Sequence, residues 1–131
     1  MLLVDTNVIS ELMRPRPDAR VVGWAKMQSA FAVSVVTIEE VLFGLAVRPS
    51  ARLARWFEEF VAGYCQVLPV IEPIARCASV LRAGLRKQGL QRTQADMLIA
   101  ATALEHRLTL ATRNVRDFAG CGIQLLDPFH M

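Results

Sequence analysis

At 131 residues and 53% hydrophobic content, the chain is sized for one domain over 1–131 and can bury a core without a disulfide or structural metal. Its net charge of +3 includes only two lysines (Lys26, Lys87) among fifteen basic residues, a mild arginine-based lean toward phosphate-bearing partners. No apolar run approaches the roughly 18–20 residues of a bilayer span, Asp5 cuts the opening apolar run short of a signal peptide, and three scattered cysteines (Cys65, Cys77, Cys121) suit a reducing cytoplasm rather than a disulfide or zinc framework.

Taken in chain order, Leu2 to Val4 reads as a short strand ended by Asp5-Thr6-Asn7, with a brief helix through Val8 to Leu12. Arg14-Pro15-Arg16-Pro17 breaks that helix, and Asp18 caps the next, which carries Val21, Val22, Trp24 and Ala25. Phe31 to Val35 is a β-branched strand. Thr37 is expected to cap the helix whose Ile38, Val41, Leu42 and Leu45 fall on one face. Pro49-Ser50 opens a helix with Leu53, Phe57, Phe60 and Val61. A strand is expected at Val67 to Ile71, then a helix from Pro73 to about Lys87. Thr93 caps an Ile- and Ala-rich helix to about His106, and Leu108–Ala111 and Gln124–Leu126 read as the last strands. Strands separated by helices imply parallel βαβ units, and right-handed crossovers put helices on both faces. The expected fold is a three-layer α/β/α sandwich with a four- or five-stranded, mainly parallel sheet.

In open parallel sheets, ligands bind beyond the carboxyl ends of the strands. Asp5 follows the first strand, and Thr112-Arg113-Asn114 follows the Leu108–Ala111 strand in the same way. Glu40 and Asp96 reach the same rim from the first turns of helices that start there. Each acid alone also reads as a helix device: Asp5 as a cap, Asp96 as the third residue after Thr93, Glu40 as a dipole partner, and Asn114 with Asp117 as a cap pair. Gathered among apolar neighbours, however, carboxylates repel and desolvate one another, and a divalent cation relieves that cost. Mg²⁺ takes oxygen ligands and keeps several waters, so few carboxylates hold it.

Four blocks carry a family resemblance: Leu2-Leu3-Val4-Asp5-Thr6-Asn7-Val8-Ile9-Ser10-Glu11; Ser34 through Gly44, with Glu40 four residues before the glycine; Ala95-Asp96-Met97-Leu98-Ile99-Ala100-Ala101; and Leu110-Ala111-Thr112-Arg113-Asn114-Val115-Arg116-Asp117. In this order and spacing they resemble PIN-domain proteins, in particular the VapC toxins of bacterial toxin–antitoxin pairs. The closing Asp127-Pro128-Phe129-His130 is similar to the FitB-like branch.

The resemblance implies a Mg²⁺-dependent endoribonuclease, with Mn²⁺ as a possible substitute, that leaves a 5′-phosphate and a 3′-hydroxyl. Asp5, Glu40 and Asp96 are the expected metal residues, and Thr6 and Thr112 the donors that orient them. Family members often carry an acid where this chain has Asn114, so the fourth site position falls to Asn114 or to Asp117. Arg14, Arg16, Arg113 and Arg116 flank the rim as candidates for RNA phosphates. A small DNA-binding antitoxin of the VapB or FitA type is the implied partner. Apolar helix faces in excess of one small sheet's needs suggest a homodimer.

Rival chemistries lack their parts. His106 and His130 form no evident pair, no phosphate-cradling glycine loop occurs, and a phosphoryl receiver would need a lysine after a late strand. An inactive binding module, kept open by Asn114, and a nuclease for structured DNA remain as alternatives.

Overall fold

The computed structural model describes residues 1–131. In chain order the elements are β1 (Leu2–Val4), α1 (Thr6–Leu12), α2 (Ala19–Lys26), β2 (Phe31–Ser34), α3 (Val35–Val47), α4 (Ala51–Tyr64) and β3 (Cys65–Leu68). Then come α5 (Glu72–Lys87), α6 (Gln94–His106), β4 (Thr109–Ala111) and β5 (Leu125–Leu126). Short 3-10 turns at Val115–Phe118 and Pro128–His130 flank β5.

The five strands form one parallel sheet in the order β3-β2-β1-β4-β5. The chain starts in the middle, winds outward through β2 and β3, then crosses to β4 and β5. Successive strand residues point to opposite faces, and both faces are buried. Leu3, Ala32, Leu68 and Leu110 pack under α5 and α6 with Ile74, Met97 and Ile99. Val4, Phe31, Val33 and Ala111 pack on the other side with Val8, Ile9, Trp24 and Phe57. The three-layer α/β/α sandwich expected from the alternation of strands and helices is therefore the observed one, with five strands.

Two elements, α3 and β3, start elsewhere than the sequence reading expects. Ser34, rather than Thr37, caps α3: it ends β2 in extended backbone, and its Oγ accepts from the Val36 N–H at 3.0 Å. Thr37 lies fully buried inside the helix. Glu40 consequently belongs to the second turn of α3, not the first. The third strand lies at Cys65–Leu68 rather than Val67–Ile71. α4 runs without a break to Tyr64, the strand pairs with β2 from Phe31↔Cys65 to Ser34↔Leu68, and Pro69, which lacks an N–H, follows its end.

A candidate active site at the carboxyl edge of the sheet

The winding direction reverses between β1 and β4, and that switch point opens a crevice beyond the strand ends. The strand pairing fixes what stands there. The Asp5 N–H donates to the Ala111 carbonyl at 2.9 Å, and the Thr112 N–H to the Leu126 carbonyl at 2.9 Å. Asp5 and Thr112 thus lie side by side, each directly after a central strand.

Asp5 is 4% exposed and its carboxylate is held on both oxygens. Oδ1 accepts from the Thr6 N–H at 2.8 Å, which caps α1. Oδ2 accepts from Thr112 Oγ1 at 2.8 Å and Asn7 Nδ2 at 3.0 Å. The capping and the site readings of Asp5 are therefore compatible: one oxygen serves the helix, the other faces the end of β4. Burial still dominates and raises its pKa above the ordinary carboxylate range, with Glu40 adding to the rise against those three hydrogen bonds.

Asp96 combines roles in the same way. Thr93 caps α6 by accepting the Asp96 N–H at 3.1 Å, which sets Asp96 in the first turn at the rim. Desolvation first, then the charge of Asp5 and smaller contributions from Asp117 and Glu40, push its carboxyl up to about 6. Glu40 comes to the rim from α3, where its Oε1 accepts from Thr6 Oγ1 at 2.7 Å.

These side chains line an open cleft of about 510 Å³ together with Asn7, Ser10, Glu11, Arg14, Arg113 and Asn114, and no hydrophobic residue takes part. Of the residues expected from sequence, Asp5, Thr6, Glu40, Asp96, Arg14, Arg113 and Asn114 are in the lining, and Thr112 supports it from beneath. The Asn114 N–H donates to Thr112 Oγ1 at 3.0 Å. Asp117 sits outside the lining, on the turn after Asn114, and reaches the site only through its charge on Asp96. Arg116 and Arg16 are exposed and also outside it.

Two members carry no sequence signal strong enough to single them out. Asn7 ties the two strand ends together: its Nδ2 donates to Asp5 and, at 3.3 Å, to Thr112 Oγ1, while its Oδ1 accepts the Arg113 N–H at 3.0 Å. Its only local signal is its place two residues after Asp5. Glu11, 7% exposed, accepts from the Asp18 N–H at 2.8 Å and Arg14 Nη1 at 3.3 Å, holding the Arg-Pro segment against α1. Arg113 lies over the Phe129 ring, 4.8 Å from its centroid, which steadies the guanidinium beside the cleft.

No three acidic, histidine or cysteine side chains stand close enough to form a ready-made metal cage. The expected trio of Asp5, Glu40 and Asp96 faces one cleft without closing on a common point, because Thr6 holds Glu40 and like charges oppose closer approach. The donor set nonetheless suits a hydrated Mg²⁺: it is all oxygen, the charge of Glu40 adds to the raised pKa of Asp5 and that of Asp5 to the raised pKa of Asp96, and the cleft has room for bound water.

The family model for the PIN domain matches residues 2–120. Toxin FitB of Neisseria gonorrhoeae is 34% identical over 99% of both chains. VapC ribonuclease Y4jK of Sinorhizobium fredii is 34% identical over 98% of each. Among solved structures, FitAcB from Neisseria gonorrhoeae superposes with a TM-score of 0.88 at 32% identity over the whole of both chains. A toxin–antitoxin complex from Klebsiella pneumoniae gives 0.77 at 26% identity over 98% of each. Five parallel strands in this order, a carboxylate at the carboxyl end of β1 and a family match across most of its length together mean that this chain belongs to the PIN domain family.

Proposed function

We propose that the chain is a ribonuclease toxin that hydrolyses RNA phosphodiester bonds at the acidic cleft with Mg²⁺, or Mn²⁺ in its place, and is restrained by a small DNA-binding antitoxin. The observation that carries this reading is Asp5, a carboxylate buried at the switch point, clamped by three donors and opposed by the charge of Glu40. The three hydrogen bonds offset only part of that burial, which still raises the Asp5 pKa, and a bound cation would offset the rest. Similarity to a VapC ribonuclease and to toxin FitB along nearly the whole chain supports RNA as the substrate and the toxin role. Likeness to a toxin–antitoxin complex supports the partner.

When bound, Mg²⁺ neutralises phosphate charge and acidifies a coordinated water. Asp5 and Asp96 would hold the ion directly or through water, and Glu40, fixed by Thr6, would order water beside them. Thr6, Asn7 and Thr112 keep the carboxylates aimed. Asn114, in the cleft lining, is the fourth site residue in preference to Asp117. Arg14 and Arg113 receive the phosphates flanking the scissile bond. Water oxygen bonds to phosphorus, the bond to the 3′ oxygen breaks, and that oxygen takes up a proton, leaving a 5′-phosphate and a 3′-hydroxyl. The exposed Leu42, Phe43 and Val47 on α3 support a homodimer, which sedimentation would test.

The first experiment incubates the protein with total RNA in Mg²⁺ or excess EDTA, beside Asp5→Asn. Defined fragments that require both Mg²⁺ and Asp5 are the expected result. Wild-type protein that leaves RNA intact at millimolar Mg²⁺ would overturn the reading and favour an inactive PIN-fold binding module.

A further inference from the structure

Arg82, Arg86, Gln91 and Arg92 enclose a separate pocket of about 200 Å³ at the end of α5, with no hydrophobic residue in its wall. Arg82 and Arg86 stand one turn apart on α5, where like charges repel. No carboxylate lies within salt-bridge distance of any of the three guanidiniums; the four ion pairs in the molecule use Arg14, Arg20, Arg76 and His130. Arg92 is half-buried and fixed, its Nη1 donating to the Arg116 carbonyl at 2.9 Å. The remaining faces of its fork are free for a ligand. Three convergent, unpaired guanidiniums with a neutral amide between them form the donor set for an anion that accepts several hydrogen bonds at once.

Two chain segments connect the pocket to the acidic cleft. Arg92 directly precedes Thr93, the cap that sets Asp96, and the Arg116 carbonyl that anchors Arg92 belongs to the turn following the cleft residue Asn114. The charge of Arg92 and that of Asp96 are both felt at Cys121, between these two segments. We propose that this pocket is a remote phosphate subsite of the RNA strand whose scissile bond lies in the cleft. Its occupant is a backbone phosphate several nucleotides from the cut, on the α5 side. The inference rests on the RNA reading and specifies where the strand runs.

The test measures binding of a labelled single-stranded 12-mer RNA to the full chain in EDTA, across a salt series, for wild type, Arg82→Gln/Arg86→Gln, and Arg52→Gln/Arg55→Gln. The last pair removes equal charge from α4 and lines neither site. A 3-mer RNA is measured beside the 12-mer. The expected result is about a 10-fold weaker 12-mer affinity for Arg82→Gln/Arg86→Gln, with the salt slope reduced by roughly 0.7 for each phosphate no longer neutralised. The α4 control and the 3-mer should change little. Equal weakening by the α4 pair would reduce the effect to net charge and overturn the subsite. So would unchanged 12-mer affinity in Arg82→Gln/Arg86→Gln beside a wild type that cleaves RNA, or a loss confined to antitoxin or DNA binding. Failure of the wild type to bind or cleave any RNA would instead overturn the function proposed above. Both α5 positions are exposed, and relieving their repulsion should leave the melting temperature equal or higher, so a folding defect cannot mimic the loss.

Discussion

Thr112 is fully buried, and its hydroxyl is committed on every side. It donates to Asp5 Oδ2 and accepts from Asn7 and from the Asn114 N–H. Thr112→Val keeps the volume, removes the donor and leaves two N–H groups short of a partner. The expected cost is about 1–3 kcal/mol of stability. RNA cleavage should fall by about 10–100-fold, as when ligand-orienting partners are removed elsewhere. Single-turnover cleavage and thermal melting, measured together, separate the effects; unchanged cleavage at a lowered melting temperature would mean that Asp5 is aimed without Thr112. Asp96 gives the opposite sign. Its folded pKa of about 6 lies above the ordinary 3.8, so its favourable contribution is complete below about pH 4 and lost as pH rises through 6. Two units amount to about 3 kcal/mol, of which solvent around this half-buried group leaves about 1. Asp96→Asn should therefore stabilise the metal-free protein at pH 7.5 by several degrees. The gain should vanish near pH 4, and a gain that persisted there would have another cause.

At the scale of elements, α3 decides where Glu40 stands, and α3 is set by Ser34. The expected effect of Ser34→Ala is a loss of about 1 kcal/mol, the usual worth of a capping hydroxyl. Cleavage activity should fall further than that loss implies if the first turn unwinds and releases Glu40 from Thr6; denaturant melts beside activity would show it. The same element marks a limit of the sequence. Ser34 and Thr37 both read as caps, and only the end of pairing between β2 and β3 at Ser34↔Leu68 chooses between them. Likewise Val67 to Ile71 has the better strand composition, yet the register with Phe31 starts the strand at Cys65. Elements bounded by their own signals, such as Asp18 before α2, Ser50 before α4 and Thr93 before α6, are legible because each cap is local. The carboxylates are legible for a related reason, since each follows a strand or lies near the start of a helix. Asn7 is not, because its partners Thr112 and Arg113 are more than a hundred residues away in sequence.

For the molecule as a whole, the site and the stability are linked through one sheet. The crevice exists because the chain reverses direction between β1 and β4, and it collects Asp5 from the end of β1 with Glu40 from α3 and Asp96 from α6. Both Asp5 and Asp96 have raised pKa values, so each makes the metal-free fold less stable as pH rises above its ordinary range. A cation bound only by the folded state reverses that trend. At ten times its dissociation constant, Mg²⁺ should add about 1.4 kcal/mol, an increase of a few degrees in melting temperature at pH 7.5. The increase should shrink toward pH 5, where protons compete for Asp96. It should also be lost in Asp5→Asn, whereas Arg82→Gln/Arg86→Gln, outside the acidic cleft, should keep it. A Mg²⁺-dependent rise that survives Asp5→Asn would locate the ion elsewhere on the protein and separate metal binding from the switch-point crevice.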